Sequence, residues 1–418
     1  MIEWLFAPLW ASLNKSLLRR AGKYWSTRSQ AVRQRYMLGG YSLVLASTFA
    51  AGGFFLSQWK YDAAQQLDKA FVQRQTEQLR GSLLSVNERA WRIASSDPNA
   101  QPDVYQAWPV AQIALSLHGI LDPSLTGSTI ATSDSVADAL LVRRSPNDGY
   151  WKQLNQPTDP PSSVVHAWVS LTLARFGSPQ VDAEVAALLA ERTKASAWSD
   201  YPGTSDLNGG RAELSSTYAT CIAMLALDTA LDGAELSPST RRDSAIALRE
   251  AALWLRANRV SDGALRWRYS DSTSPSQLRS TGLGISALAF HALLCATARA
   301  PDDHQLRDLA DDWIETLPEA VPTPLASSSS NSWRQLPNGV QEVDRIRNFE
   351  WPWMMIATHD AMKYCSPKHK AAAERWIDRC ISQDVSFPEY LADTPWLAAE
   401  CLFAVRYVTG EQGGLLEP

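Results

Sequence analysis

The sequence predicts an all-α fold of about six helical hairpins behind a single N-terminal membrane-spanning helix. Three observations predict it. Six segments are apolar around most of their circumference, as helices packed on several sides must be. Between them lie segments with apolar residues at spacings of three and four and charges elsewhere, the pattern of helices with one wet face. The turn sequence Asp148-Gly149-Tyr150-Trp151 returns in altered form as Trp198-Ser199-Asp200-Tyr201-Pro202-Gly203, Asp262 to Trp267, Asn331-Ser332-Trp333 and Phe349-Glu350-Trp351.

Residues 1–35 are read as a cytoplasmic segment. Met1 to Leu13 carries Trp4, Phe6, Leu9 and Trp10, an aromatic face suited to the membrane interface, and Lys15, Arg19, Arg20, Lys23, Arg28, Arg33 and Arg35 follow it. Residues 36–59 contain no charge and match the thickness of a bilayer core. With the basic residues on one side, the positive-inside rule places the N-terminus in the cytoplasm and the main domain beyond the membrane, periplasmic in a cell with two membranes. Residues 60–100 form either a stalk or the first outer helix, with Leu67, Phe71, Leu79, Leu83, Val86 and Ala90 along one side.

Residues 101–418 are expected to form one ring. The all-round apolar helices are Tyr105 to Leu121, Ser162 to Phe176, Ser215 to Leu231, Thr281 to Ala298, Trp351 to Cys365 and Thr394 to Val408. The two-sided helices are Asp134 to Arg144, Val181 to Lys194, Thr240 to Asn258, His304 to Leu317 and Lys368 to Ser382, which are placed outside them. Ser162 or Ser163 is an N-cap for its helix and Gly177 its left-handed stop. Ser327 to Ser332 is a low-complexity surface loop within the longest non-helical insertion.

Over residues 100 to 410 this pattern of paired helices and Gly/Trp turns resembles the α/α-toroid superfamily of prenyltransferase and squalene-cyclase repeats, with six-hairpin glycosidases and polysaccharide lyases as more distant members. The resemblance implies an architecture. Catalytic motifs of known members are absent. Asp308-Leu309-Ala310-Asp311-Asp312 has the wrong spacing for the cyclase acid motif, Thr409-Gly410-Glu411-Gln412 lacks the thioester cysteine, and Asp378-Arg379-Cys380 has no later His to complete a zinc site.

With 418 residues, 45% of them hydrophobic, the chain can bury a large core. A net charge of -5 and no Lys/Arg stripe beyond residue 35 argue against nucleic acid as a partner. Cys221, Cys295 and Cys401 sit in apolar helices as small core residues, while an oxidising compartment would allow Cys365 and Cys380 to pair across a hairpin. The six His are scattered, so no metal and no cofactor are expected.

Candidate chemistry rests on carboxylates that precede the inner helices: Asp103, Glu213, Glu350 and Asp393. Two of them converging would supply the acid and base of glycoside cleavage or lyase chemistry, and helix capping is the structural alternative. Glu350, flanked by Phe349, Trp351 and Trp353, is the candidate for a raised pKa. Trp108, His166, Trp168, Tyr218, Trp351, Trp353 and Trp396 are candidates to line a cavity for sugar stacking or an isoprenoid chain. Three functions remain open: a membrane-anchored binding or scaffolding component of an envelope assembly, which the anchor and missing motifs favour; a six-hairpin carbohydrate hydrolase or lyase; and isoprenoid or lipid handling. A protein partner, a homo-oligomer, a polysaccharide and a lipid are the partners these readings imply.

Overall fold

The computed structural model describes residues 70–95, 106–119, 133–152, 160–202, 215–260, 265–268, 281–299, 303–323, 327–335, 341–382 and 394–410. Among the described residues, no helix is long and apolar enough to cross a membrane. The predicted basic segment and the span 36–59 lie outside them.

The described helices are α1 (70–95), α2 (Ala107–Leu117), α3 (Ser133–Leu141), α4 (Ser163–Arg175), α5 (Val181–Ala190), α6 (Thr217–Gly233), α7 (Pro238–Ala257), α8 (Leu283–Ala298), α9 (Asp303–Glu315), α10 (Glu350–Tyr364), α11 (Pro367–Ile381) and α12 (Pro395–Val408). The even-numbered ones are the all-round apolar segments. Each packs on the next, α2 on α4, α4 on α6, and so on to α12, and α12 packs back on α2. The ring is closed. Ten of the eleven residues of α2 are buried, whereas α7 buries only six of its twenty, the difference between an inner and an outer helix. Helix α1 lies against the ring: the Ser116 hydroxyl donates to Asn87 Oδ1 at 3.4 Å and Arg143 Nη2 donates to the Ala94 carbonyl at 3.1 Å.

The repeated turns have one physical task. In three successive outer-to-inner connections, the backbone carbonyl of a tryptophan accepts from the residue that starts the next inner helix: Trp151 from Ser162 at 2.8 Å, Trp198 from Ser216 at 2.7 Å, and Trp267 from Thr281 at 2.7 Å. The carbonyl just before each Trp closes the loop, Tyr150 to Ser145, Ala197 to Thr193 and Arg266 to Val260. The indoles reach outward. Trp198 Nε1 donates to the Leu188 carbonyl at 2.8 Å, and Trp267 Nε1 to the Leu255 carbonyl at 2.9 Å, each in the last turn of the outer helix just ended. A buried indole thereby finds its acceptor on a helix-terminal carbonyl that also accepts from the C-cap N–H, Glu191 on Leu188 and Asn258 on Leu255, each at 3.2 Å. Ser162 and Ser216 then cap α4 and α6 with their side chains, and Gly177, at φ +63°, follows α4 as expected.

One expectation fails in the backbone. The segment read as a loop contains an antiparallel hairpin, β1 (Ser327–Gln335) and β2 (Gln341–Phe349), with Ser327 opposite Phe349 and Gln335 opposite Gln341. The low complexity of the serine run hid an extended strand, while Val343 and Ile346 in β2 are residues that favour one. All five cysteines are free thiols, so Cys365 and Cys380 are not bonded.

The seam between first and last inner helices is a ladder. Trp108 meets Trp396 with ring centroids 5.5 Å apart, Gln112 Nε2 donates to Glu400 Oε1 at 3.0 Å, and Arg406 Nη1 donates to the Ser116 and His118 carbonyls at 2.7 and 2.8 Å. These rungs fall in the same order along both helices, so α2 and α12 run parallel. Arg406 is buried and satisfies the C-terminal carbonyls of α2, where a cation also complements the helix dipole. Replacing it, as Arg406→Met, is expected to cost about 2–4 kcal/mol through carbonyls left unsatisfied; urea unfolding followed by far-ultraviolet circular dichroism measures it, and a loss below about 0.5 kcal/mol would show that the seam does not depend on this side chain.

Candidate functional site on the ring axis

The middle rung of the seam opens onto the axis. A small cavity there is lined by Gln112 and Leu115 of α2, Trp168 of α4, Trp353 and Ile356 of α10, and Ala399, Glu400 and Phe403 of α12. The space it leaves for the centre of a water is about 10 Å³, room for roughly one molecule. Tyr218 of α6 joins the wall, since the Trp168 indole donates to its hydroxyl at 3.3 Å, and Trp168 and Trp353 stand with centroids 6.2 Å apart.

Glu400 is the one acid in this lining. Its carboxyl keeps some exposed surface toward the cavity, yet protein crowds it enough that burial pushes its pKa up to about 8, against the opposing pull of the Trp353 indole and the Gln112 amide. It therefore holds its proton at neutral pH. Gln112 is almost fully buried, and its Oε1 has no hydrogen-bond partner among the described residues. A proton donor and an orphaned acceptor lie side by side at a water-sized gap.

A second carboxylate is near. The Tyr218 hydroxyl is pushed well above its ordinary value first by burial and then by the charges of Glu400 and Asp200, so it stands within electrostatic reach of both. Asp200 is buried at the mouth of α4, where its carbonyl accepts from Ser163 N at 3.2 Å.

The aromatic candidates divide. Trp108, Trp168, Tyr218, Trp353 and Trp396 surround the axis and its seam. His166 and Trp351 do not. His166 is buried with Nδ1 2.7 Å from Glu191 and Nε2 3.2 Å from Glu184; burial alone would lower its pKa, but the two carboxylates raise it to about 9. Glu184 also accepts from Arg144 at 2.9 Å and from the Trp151 indole at 2.8 Å, so His166 belongs to an ionic knot between inner and outer helices. Trp351 is fully buried and donates to the Cys380 carbonyl at 3.3 Å in the last turn of α11, an outward contact of the kind made by Trp198 and Trp267.

Among the carboxylates sought before inner helices, Asp103, Glu213 and Asp393 lie outside the described residues. Glu350 begins α10, partly exposed, and burial raises its pKa as its aromatic flank suggests. Sequence reasoning passed over Glu400, Gln112 and Asp200. The available signal was one acid inside the otherwise apolar run Trp396 to Phe403.

No family model and no curated protein matches this chain. Among solved structures, the chain is similar to an inactive variant, with two aspartates replaced by alanine, of the alpha-1,6-mannanase GH76A of Salegentibacter sp. HEL1_6 in complex with alpha-1,6-mannotetrose. The superposition covers 79% of this chain and 99% of that one at 8% identity, with a TM-score of 0.52. At this identity the likeness concerns the fold alone.

The raised pKa has a consequence for stability. Between about pH 4.5 and pH 8 the folded protein holds a Glu400 proton that the unfolded chain has released, so this group's contribution falls as pH rises through that window. Glu400→Gln removes the dependence. The variant is expected to gain on the wild type steadily from pH 5 to 8, by on the order of 3 kcal/mol at the upper end, measured as denaturant midpoints at each pH; parallel curves would contradict the buried, protonated carboxyl.

Proposed function

We propose that this chain is a carbohydrate-active α/α ring whose axial carboxyl, Glu400, donates a proton to a glycosidic oxygen. The observation that carries the reading is a crowded carboxyl, hydrogen-bonded to Gln112 beside aromatic rings on the axis of a closed helical ring, whose pKa burial raises to about 8. A general acid needs its pKa near or above the working pH and water held away from it. Asp200, across Tyr218, is the carboxylate assigned to assist as base or nucleophile, and Glu350 is the alternative at the start of α10. Trp108 and Trp396 supply ring faces for stacking on sugars, and Gln112 Oε1 accepts from a sugar hydroxyl. Because the cavity admits one water, the glycan lies across its mouth.

Support also comes from the fold shared with a mannanase solved with a mannose oligosaccharide, which makes neutral, α-linked mannose oligomers the first substrates to try. The predicted anchor at 36–59 would tether the domain to the inner membrane. The small cavity favours a second reading, a non-catalytic glycan-binding ring.

Full-length protein in detergent is assayed for new reducing ends on a panel of α- and β-linked oligosaccharides. Cleavage is expected, with kcat/KM falling above about pH 8 and Glu400→Gln lowering kcat by about 10²–10⁴-fold while binding persists. Binding without cleavage moves the assignment to the second reading; neither on any glycan overturns both.

A further inference from the structure

Below the axial cavity, toward the C-terminal ends of the inner helices, lies a second polar cluster that the glycan reading does not use. His291 and Cys295, four apart on α8, and Asp360 on α10 are all buried. Their ligand atoms lie within 4.8 Å of one another: His291 Nδ1 is 2.7 Å from Asp360 Oδ2, and Cys295 Sγ is 4.0 Å from the same Nδ1. Tyr407 of α12 donates its hydroxyl to the Asp360 carboxylate at 2.8 and 2.9 Å, and Lys363 stands 3.3 Å from it on the side nearer solvent.

From this geometry we infer a structural site for a thiophilic divalent cation of the zinc class, held by His291 Nδ1, Cys295 Sγ and an Asp360 oxygen. One nitrogen, one sulfur and one carboxylate oxygen are the donor set zinc takes. Bonds of about 2.0–2.3 Å to a tetrahedral ion set donors roughly 3.3–3.8 Å apart, so side-chain shifts on the order of 1 Å bring these three donors to bonding distance. Charge balances: the ion brings two positive charges, and a thiolate and a carboxylate bring two negative ones. On binding, the thiol proton leaves to solvent, and the imidazole proton moves from Nδ1 to Nε2, freeing Nδ1 for the metal. Tyr407 then orients Asp360 from outside the shell, as second-shell donors do. The carboxyl-terminal ends of inner helices are the negative ends of their dipoles, which favours a cation here as it favours Arg406 at the end of α2. Burial assigns the ion a structural part, stapling α8 to α10.

His291 and Cys295 stand one helical turn apart in the sequence, but Asp360, the third ligand, is brought to them only by the packing of α10 on α8.

Full-length protein is purified without chelator and its metal content measured; a second sample is unfolded in urea and refolded with cobalt, whose thiolate complexes absorb strongly in the near ultraviolet. About one zinc per chain is expected, together with a cobalt–thiolate band that Cys295→Ser and Asp360→Asn abolish and Cys380→Ser retains. A chelator should lower the melting temperature of the wild type, a measurement that decides the matter if a variant fails to fold. No retained metal together with no chelator effect overturns the site, as does a cobalt band that survives Cys295→Ser. Glycan turnover is unaffected by either result.

Discussion

Everything on the axis depends on one closure. Gln112 and Glu400 are 288 positions apart in the chain, and their hydrogen bond exists only because α12 returns to dock beside α2. Closing so long a path costs little more chain entropy than closing a short one, and the seam recovers it through stacked indoles, a buried amide-to-carboxyl bond and a guanidinium on the carbonyls of Ser116 and His118. The same rung that shuts the ring supplies its acid. Fold and chemistry share a residue pair.

Parallel inner helices give the ring two unlike ends. Long connections gather where inner helices begin, and tryptophan carbonyls fix where three of those helices start. At the opposite end the helix dipoles present negative charge, which is met by Arg406 on α2, by Arg299 on Asp228 and Asp232, and by Lys363 beside Asp360. Burial there would penalise the Asp360 charge, yet the hydrogen bond from His291, the His359 ring 3.6 Å away and the Lys363 charge hold its carboxyl well below the usual range. Under the proposed reading one end takes the glycan and the proton donor, and the other takes cations.

The helical pairing was legible because burial leaves a periodic trace: an inner helix is apolar all round and an outer one is not. Ser162 and Gly177 could be placed for local reasons, capping and a positive φ. The Gly/Trp turns were visible as an echo, but their purpose was not, since the bonds from Trp198 and Trp267 run to helix carbonyls that only coordinates reveal. Three of the acids expected before inner helices, Asp103, Glu213 and Asp393, lie outside the described residues. Acids before helices are common as caps, whereas Glu400 on α12, His291 on α8 and Asp360 on α10 are polar residues within apolar helices, where an unpaired charge is costly and a polar side chain therefore needs a partner or a task. His166 misled for the complementary reason: at the start of an inner helix it faced outward to Glu184 and Glu191.

The central claim is that the axial carboxyl of Glu400 is protonated at neutral pH. Infrared difference spectra between wild type and Glu400→Gln, recorded from pH 6 to 10, test it directly. A protonated carboxylic-acid band that persists at pH 7 and gives way to carboxylate near pH 8 is the expected result; a carboxylate band already complete at pH 6 would contradict it.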